Sequence, residues 1–289
     1  MLYNFSAIET KNEELIGLFF QDNLYNTIQW NIQNYSNNTA PLLALRYGNL
    51  TTIENMVKLE TTDFNMQDEN THSGPMIAVM RDEPYILEKL KSRNDINWNM
   101  KDKYHCTTVI LAIKSNAIKC LSILTKIEKI NWNQGDINGN TPAILAVKAN
   151  STNAFHMLLD ITSIDWNICN KENDSPLTII IQSNKIEYFK YLFERNKIIP
   201  NIYLLRRKNL LKLATTITRQ IIRQTMNDYG IEHQENGKAL IAEILFTLEK
   251  NLNAAIINIL VSELDTYDVL DLVIYWSNNK TNENIKIIK

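Results

Sequence analysis

The chain has 289 residues, 45% of them apolar and 21% charged, with a formal net charge of -2. That apolar fraction supports a continuous core, and the near-neutral charge gives no global attraction to nucleic acid or to an anionic membrane. Seven glycines and six prolines are too few for a collagenous, low-complexity or all-β chain.

In chain order, residues 1–20 carry acids ahead of an apolar run and lack a basic region, so no Sec signal peptide is expected. Segments 15–20 and 24–32 are read as two helices of an N-terminal cap spanning 1–38. From 39 onward the chain repeats itself. Trp98, Trp132 and Trp166 lie 34 residues apart, with Phe64 and Trp30 in the same phase. An asparagine follows each position of this column and the next: Asn31, Asn65, Asn99, Asn133, Asn167 and Asn201. Asp68, Asp102, Asp136 and Asn170 stand three residues beyond, and then come Ser73, Thr107, Thr141 and Ser175. Small residues recur at Ala44, Ala78, Ala112 and Ala146, followed in phase by Ile180 and Ala214. Five 34-residue units fill 39–208 without a gap. Residues 209–289 are less regular and are read as degenerate repeats with a C-terminal helical cap: 209–214 stays in phase, 239–248 and 254–264 form a helix pair, and 267–276 closes the chain. The longest apolar stretches, such as 254–261, are too short to span a bilayer, so no integral membrane association is expected.

Each part of the unit has a physical reason. The Asn, Asp and Gly segment is turn chemistry, because these side chains bond their own backbone. Thr141-Pro142 and Ser175-Pro176 start helices: the hydroxyl accepts from an orphan amide, and proline wastes none. Thr107 and Ser73 are read as caps of the same kind. A short helix follows, with the alanine column allowing close approach of a neighbour. A second helix presents Phe155, Leu158 and Leu159 on one face, and Leu87-Leu90, Leu121-Leu124 and Phe189-Leu192 repeat that pair. Such helices are too short to be stable alone, so neighbouring units must bury each other.

The turn, Thr-Pro, helix, helix unit resembles the ankyrin repeat, whose pattern contains T-P-L-H-x-A and recurs at about 33 residues. The nearest matches are Thr39-Ala-Pro-Leu-Leu-Ala and Thr141-Pro-Ala-Ile-Leu-Ala. The unit departs in its spacing of 34, and in the motif histidine, which is replaced by Leu42, Met76, Ile110 and Ile144. The tetratricopeptide repeat shares that period, but its helices are joined by short turns, unlike the long polar segment 63–72. The resemblance implies an all-α ankyrin-repeat solenoid of helix-turn-helix units with β-hairpin/turn connectors.

Little in the chain carries catalytic chemistry. No P-loop, GxSxG, HExxH or GxGxxG occurs, and no zinc spacing is present. The three cysteines, Cys106, Cys120 and Cys169, form no disulfide framework, which points to a reducing compartment. His72 and His105 fall on adjacent tips, and His105-Cys106 beside Cys120 admits a thiol or metal reading; solvated loop histidines and scattered thiols explain the set more simply. No catalytic residue, metal or cofactor is assigned, and the chain is read as a non-enzyme. The tryptophan column is read as rings packed within the stack rather than as an exposed ladder. The asparagine column is read as tying the turn backbone. The alternative is asparagine hydroxylation, because the segment 159–167 ending in Asp165-Trp166-Asn167 resembles the substrate pattern known in ankyrin repeats.

Ankyrin proteins bind partners through their tips and the exposed side of the first helix, which line a concave groove. Carried onto this sequence, the helix positions are Arg46, Tyr47, Met80, Arg81, Lys114, Ser115, Lys148 and Gln182. The tip positions are Glu69, Asn70, His72, Lys103, Tyr104, Ile137, Asn138, Lys171 and Glu172. Arg46, Arg81, Lys114 and Lys148 suggest a basic-lined groove for an acidic segment of a protein partner, with Tyr47 and Tyr104 as aromatic anchors. Residues 195–227 carry Arg206, Arg207, Lys208, Lys212 and four further cations without an acid, whereas 228–271 carry nine acids. Mutual neutralisation explains the asymmetry; the alternative is a site for anionic lipid or nucleic acid over 195–223. A nucleic-acid partner is otherwise not expected, and the chain is read as a monomer. The leading function is a protein-interaction module. An enzyme or regulator in the C-terminal helical region, docked by the repeats, is the alternative. The abundance of Asn, Ile and Lys resembles ankyrin effectors of intracellular bacteria, which implies virulence-related delivery to a host cytoplasm without a Sec signal. A cytosolic scaffold is the other setting.

Overall fold

The computed structural model describes residues 7–10, 12–20 and 27–195. The expectations for 196–289, including Arg206, Arg207, Lys208, Lys212 and the C-terminal helices, lie outside the described residues. The chain divides into two compact units, Met1–Ile164 with Cys169–Asn173, and Asp165–Ile168 with Asp174–Lys289.

In the first unit, α1 (Glu13–Phe19) precedes four helix pairs: α2 (Ala40–Tyr47) with α3 (Leu50–Lys58), α4 (Gly74–Met80) with α5 (Pro84–Lys91), α6 (Thr108–Lys114) with α7 (Ile118–Leu124), and α8 (Pro142–Lys148) with α9 (Thr152–Leu159). The second unit holds α10 (Pro176–Gln182) and α11 (Ile186–Glu194), which pack on each other. The N-caps Thr39, Ser73, Thr107, Thr141 and Ser175 stand 34 residues apart, so the sequence period is also the structural one. Thr39, Thr107, Thr141 and Ser175 each accept from the amide three residues on. Ser73 does not: its backbone has cap geometry, but its buried hydroxyl makes no hydrogen bond. Gly74 follows it because a side chain there would meet the Phe64 carbonyl at 2.9 Å.

In the first unit the first helices pack side by side, α2 on α4, α4 on α6 and α6 on α8. The second helices α3, α5, α7 and α9 form a parallel row. Ala44, Ala78, Ala112 and Ala146 are fully buried between the first helices, and Leu87, Leu90, Leu121, Leu124, Phe155 and Leu158 fill the core beneath the second row. Trp30, Phe64, Trp98, Trp132 and Trp166 are all buried, which removes the exposed-ladder reading. Trp30 stacks on Phe20 at 5.6 Å and meets the edge of Phe19 at 6.5 Å.

Two expectations are corrected. No β-strand exists among the described residues, so the connectors are turns and not β-hairpins. A hairpin pair needs two reciprocal backbone bonds. At each tip one forms, Asp68 N–H to His72 O at 3.1 Å, but the returning His72 amide donates to Asp68 Oδ1 instead. Asp102 with Cys106 and Asp136 with Asn140 repeat this substitution of a side chain for a strand. In addition, residues 27–32 form turns where a helix over 24–32 was expected. Just beyond them, Asn34 Oδ1 accepts from the amides of Ser36 and Asn38 and closes a tip like the later ones.

Candidate interaction face

The tips are built on one acid column. Asp68, Asp102 and Asp136 are at most 5% exposed. In each, Oδ1 accepts two tip amides: Asn70 and His72, then Tyr104 and Cys106, then Asn138 and Asn140, at 2.7–3.0 Å. Each loop then turns through a left-handed residue one place before its last bonded amide, at Thr71, His105 and Gly139. These shared bonds fix the carboxylate plane, so Oδ2 points the same way in every copy.

What meets Oδ2 differs between copies. Arg46 Nη2 lies 2.5 Å from Asp68, and Lys114 Nζ lies 2.9 Å from Asp136. Burial pushes the Asp68 carboxyl up, but the His72 amide and the Arg46 guanidinium outweigh it and hold the group below its ordinary value. Asp136 is likewise pushed up by burial and brought below its ordinary value by Lys114 and the Asn140 amide. Lys148 faces the neutral Asn170 column, donates to Asn140 Oδ1 at 3.1 Å, and lies 3.7 Å from the exposed Glu172. Arg81, one position out of this column, donates instead to the carbonyls of Leu45 and Gly48 at 2.7 and 3.2 Å. The four groove cations are therefore two salt-bridged columns, one carbonyl clamp and one lightly neutralised lysine.

The structure brings the tip residues together along one edge. Ile137 N–H donates to Tyr104 O at 2.9 Å, Lys171 N–H to Asn138 O at 3.0 Å, and Lys103 Nζ to Asn70 Oδ1 at 2.7 Å. Tyr47, Glu69, Met80, Lys103, Tyr104, Lys114, Ser115, Ile137, Asn138, Lys148, Lys171 and Glu172 are exposed, and Arg46, Asn70, His72 and Arg81 are half-buried. Gln182 is exposed as well, but in the second unit.

The asparagine column does more than tie its own turn. Asn31, Asn65, Asn99 and Asn133 each donate through Nδ2 to a carbonyl 30 residues on, at 2.8–2.9 Å: Thr61, Asp95, Lys129 and Ser163. The Oδ1 atoms of the first three accept the amides of Asp63, Asn97 and Asn131, 32 residues on. One side chain thus bridges two repeats in both directions. Arg93, which the sequence reading passed over, binds the Val57, Leu59 and Thr62 carbonyls and Asp95, joining the first repeat to the second. Its signal was present: Ile127 and Ile161 stand in the same column. The thiol reading gains no support, since burial raises Cys106 above its ordinary value and raises Cys120 to about 12.

The sequence profile "Ankyrin repeats (3 copies)" matches residues 75–168 and 126–203. Solved structures share the fold. The ankyrin-repeat protein EF0377 is 16% identical with a TM-score of 0.58, covering 65% of this chain and 95% of its own. The ankyrin-repeat domain of Bcl-3, of the IkappaB family, is 17% identical with a TM-score of 0.54, covering 75% and 84%. A chain from the complex of the Bdellovibrio bacteriovorus endopeptidase Bd0816 with immunity protein Bd3460 is 18% identical with a TM-score of 0.51, covering 65% and 95%. No curated protein matches the sequence. With the 34-residue register of caps, helices and tips, these findings identify residues 75–203 as ankyrin repeats. Ankyrin repeats are scaffolds for protein–protein interaction, and the matched repeats support that general role. No described helix is long and apolar enough to cross a membrane.

Proposed function

We propose that the chain captures a partner protein on the face formed by its first helices and tips. One observation carries this reading. Tyr35, Tyr47, Met80, Tyr104 and Ile137, five of the eight large apolar side chains left exposed among the described residues, lie on that face. Exposed Tyr and Met in such a row are interface chemistry, because they desolvate large areas on contact.

The charge pattern refines the expected acidic segment. Asp68 and Asp136 already occupy Arg46 and Lys114, so an acidic partner would have to displace them. Lys148 has no buried acid beneath it and is the position on this face best suited to a partner carboxylate. Delivery into a host cell, with a host protein as the partner, is the setting that the Asn-, Ile- and Lys-rich composition supports.

The test is affinity capture from eukaryotic lysate with the intact chain. Proteins retained by wild type and by an outer-face control, Leu50→Glu, should be lost from Met80→Glu/Tyr104→Glu. A retained set indifferent to the double substitution would reject the face.

A further inference from the structure

The ion-pair column of the first unit is broken once. In the first and third helix pairs, a cation near the end of the first helix meets the buried acid 22 residues on: Arg46 with Asp68, and Lys114 with Asp136. In the second pair that helix position is Met80, and the acid 22 residues on is Asp102. Asp102 is 4% exposed and its Oδ1 bonds the same two tip amides as its counterparts. Its Oδ2 has no cation within salt-bridge distance among the described residues. The nearby cations are committed elsewhere, Lys103 to Asn70 and Lys114 to Asp136 and Cys106. The same junction differs in a second way. Adjacent tips are joined by a backbone bond at Ser36–Glu69, Tyr104–Ile137 and Asn138–Lys171, but Asn70 and Lys103 are joined only through the lysine side chain. Met80 and Tyr104, the two most exposed large apolar side chains of α4 and its following tip, flank this place at 54% and 56%.

The geometry points to a recess for a cationic side chain of the partner, an Arg or Lys, whose charged end pairs with Asp102 where the chain's own repeat supplies none. Its methylene stem lies along Met80 and Tyr104, which is how long basic side chains use apolar surface. A buried carboxylate bonded only to backbone amides is a strong attractor for a donor with positive charge, and such a pair is recognised by geometry as well as charge. A metal ion is a poorer fit, because no group of three or more His, Cys, Asp and Glu side chains gathers among the described residues. The inference rests on the proposed binding face and names the residue type that face selects: a basic side chain flanked by apolar ones, with a partner acid at Lys148.

Panning a displayed library of random peptides against the intact chain tests it. Enriched peptides should carry Arg or Lys beside an aliphatic or aromatic residue. A labelled enriched peptide should bind Asp102→Asn and Met80→Lys about tenfold or more weakly than wild type, and bind Glu128→Gln, on an outer turn, unchanged. Both substitutions are ones the repeat already accommodates: Asn stands in the acid column at Asn34 and Asn170, and Lys in the helix column at Lys114 and Lys148. Met80→Lys should also raise the melting temperature by supplying the missing pair. Peptides that lose affinity for Tyr47→Ala/Tyr104→Ala but ignore Asp102→Asn and Met80→Lys would overturn the recess and leave the face. Enriched peptides without a basic residue would do the same. No enrichment, or binding indifferent to both sets, would overturn both.

Discussion

Asp68 and Asp136 show how one buried side chain can replace both a strand partner and a counter-ion. Each accepts two amides on Oδ1 and a cation on Oδ2, and this sets the acid response of the protein. Their folded carboxyls titrate below the ordinary value of 3.8. A depressed folded value means stability that is full above the unfolded carboxylate value and is lost as pH falls through the folded one. Unfolding should therefore set in below about pH 4. Asp68→Asn/Asp136→Asn should lose about 1–2 kcal/mol per site at neutral pH, at the low end because both cations are partly solvated, and should respond more weakly to acid. Denaturant titrations from pH 7 to pH 2 check this. The acid column itself was legible in the sequence as a 34-residue recurrence. Its consequence was not, because which oxygen a cation meets depends on a helix offset of one residue. Arg81 reads like Arg46 in a list of groove cations, yet one step around the helix it clamps the Leu45 and Gly48 carbonyls instead.

At the scale of elements, helices of seven to nine residues cannot persist alone and depend on what joins one pair to the next. Apolar packing supplies most of that, and the caps and alanine column announced it in advance. The asparagine bridge was legible as a column but not as a cross-repeat contact, since a repeat period cannot say whether a side chain bonds its own copy or the following one. Asn99 donates to Lys129 O and accepts from Asn131 N–H, so Asn99→Ala removes two inter-repeat bonds at once. A loss of about 1–2 kcal/mol is expected, moderated by the solvent access of both bonds, and chemical denaturation against wild type measures it. The β-hairpins implied by family resemblance failed for a local reason, namely that Asp at the turn captures the amide a strand would need.

At the scale of the molecule, repetition makes departures from it informative. Arg93 in an isoleucine column fastens two repeats, and Met80 in a cation column leaves Asp102 without its counter-charge. The face on which Met80 lies also gathers most of the large apolar side chains exposed among the described residues, while α5, α7 and α9 turn their apolar sides inward. The proposed binding face therefore predicts partner contact on that side of the first unit. Hydrogen exchange of the intact chain, alone and saturated with the captured protein, reads this directly. New protection should appear at amides within 68–72, 102–106 and 136–140 and at the ends of α4, α6 and α8. Protection confined to α5, α7 and α9, with the tips exchanging as before, would contradict the assignment of the binding side.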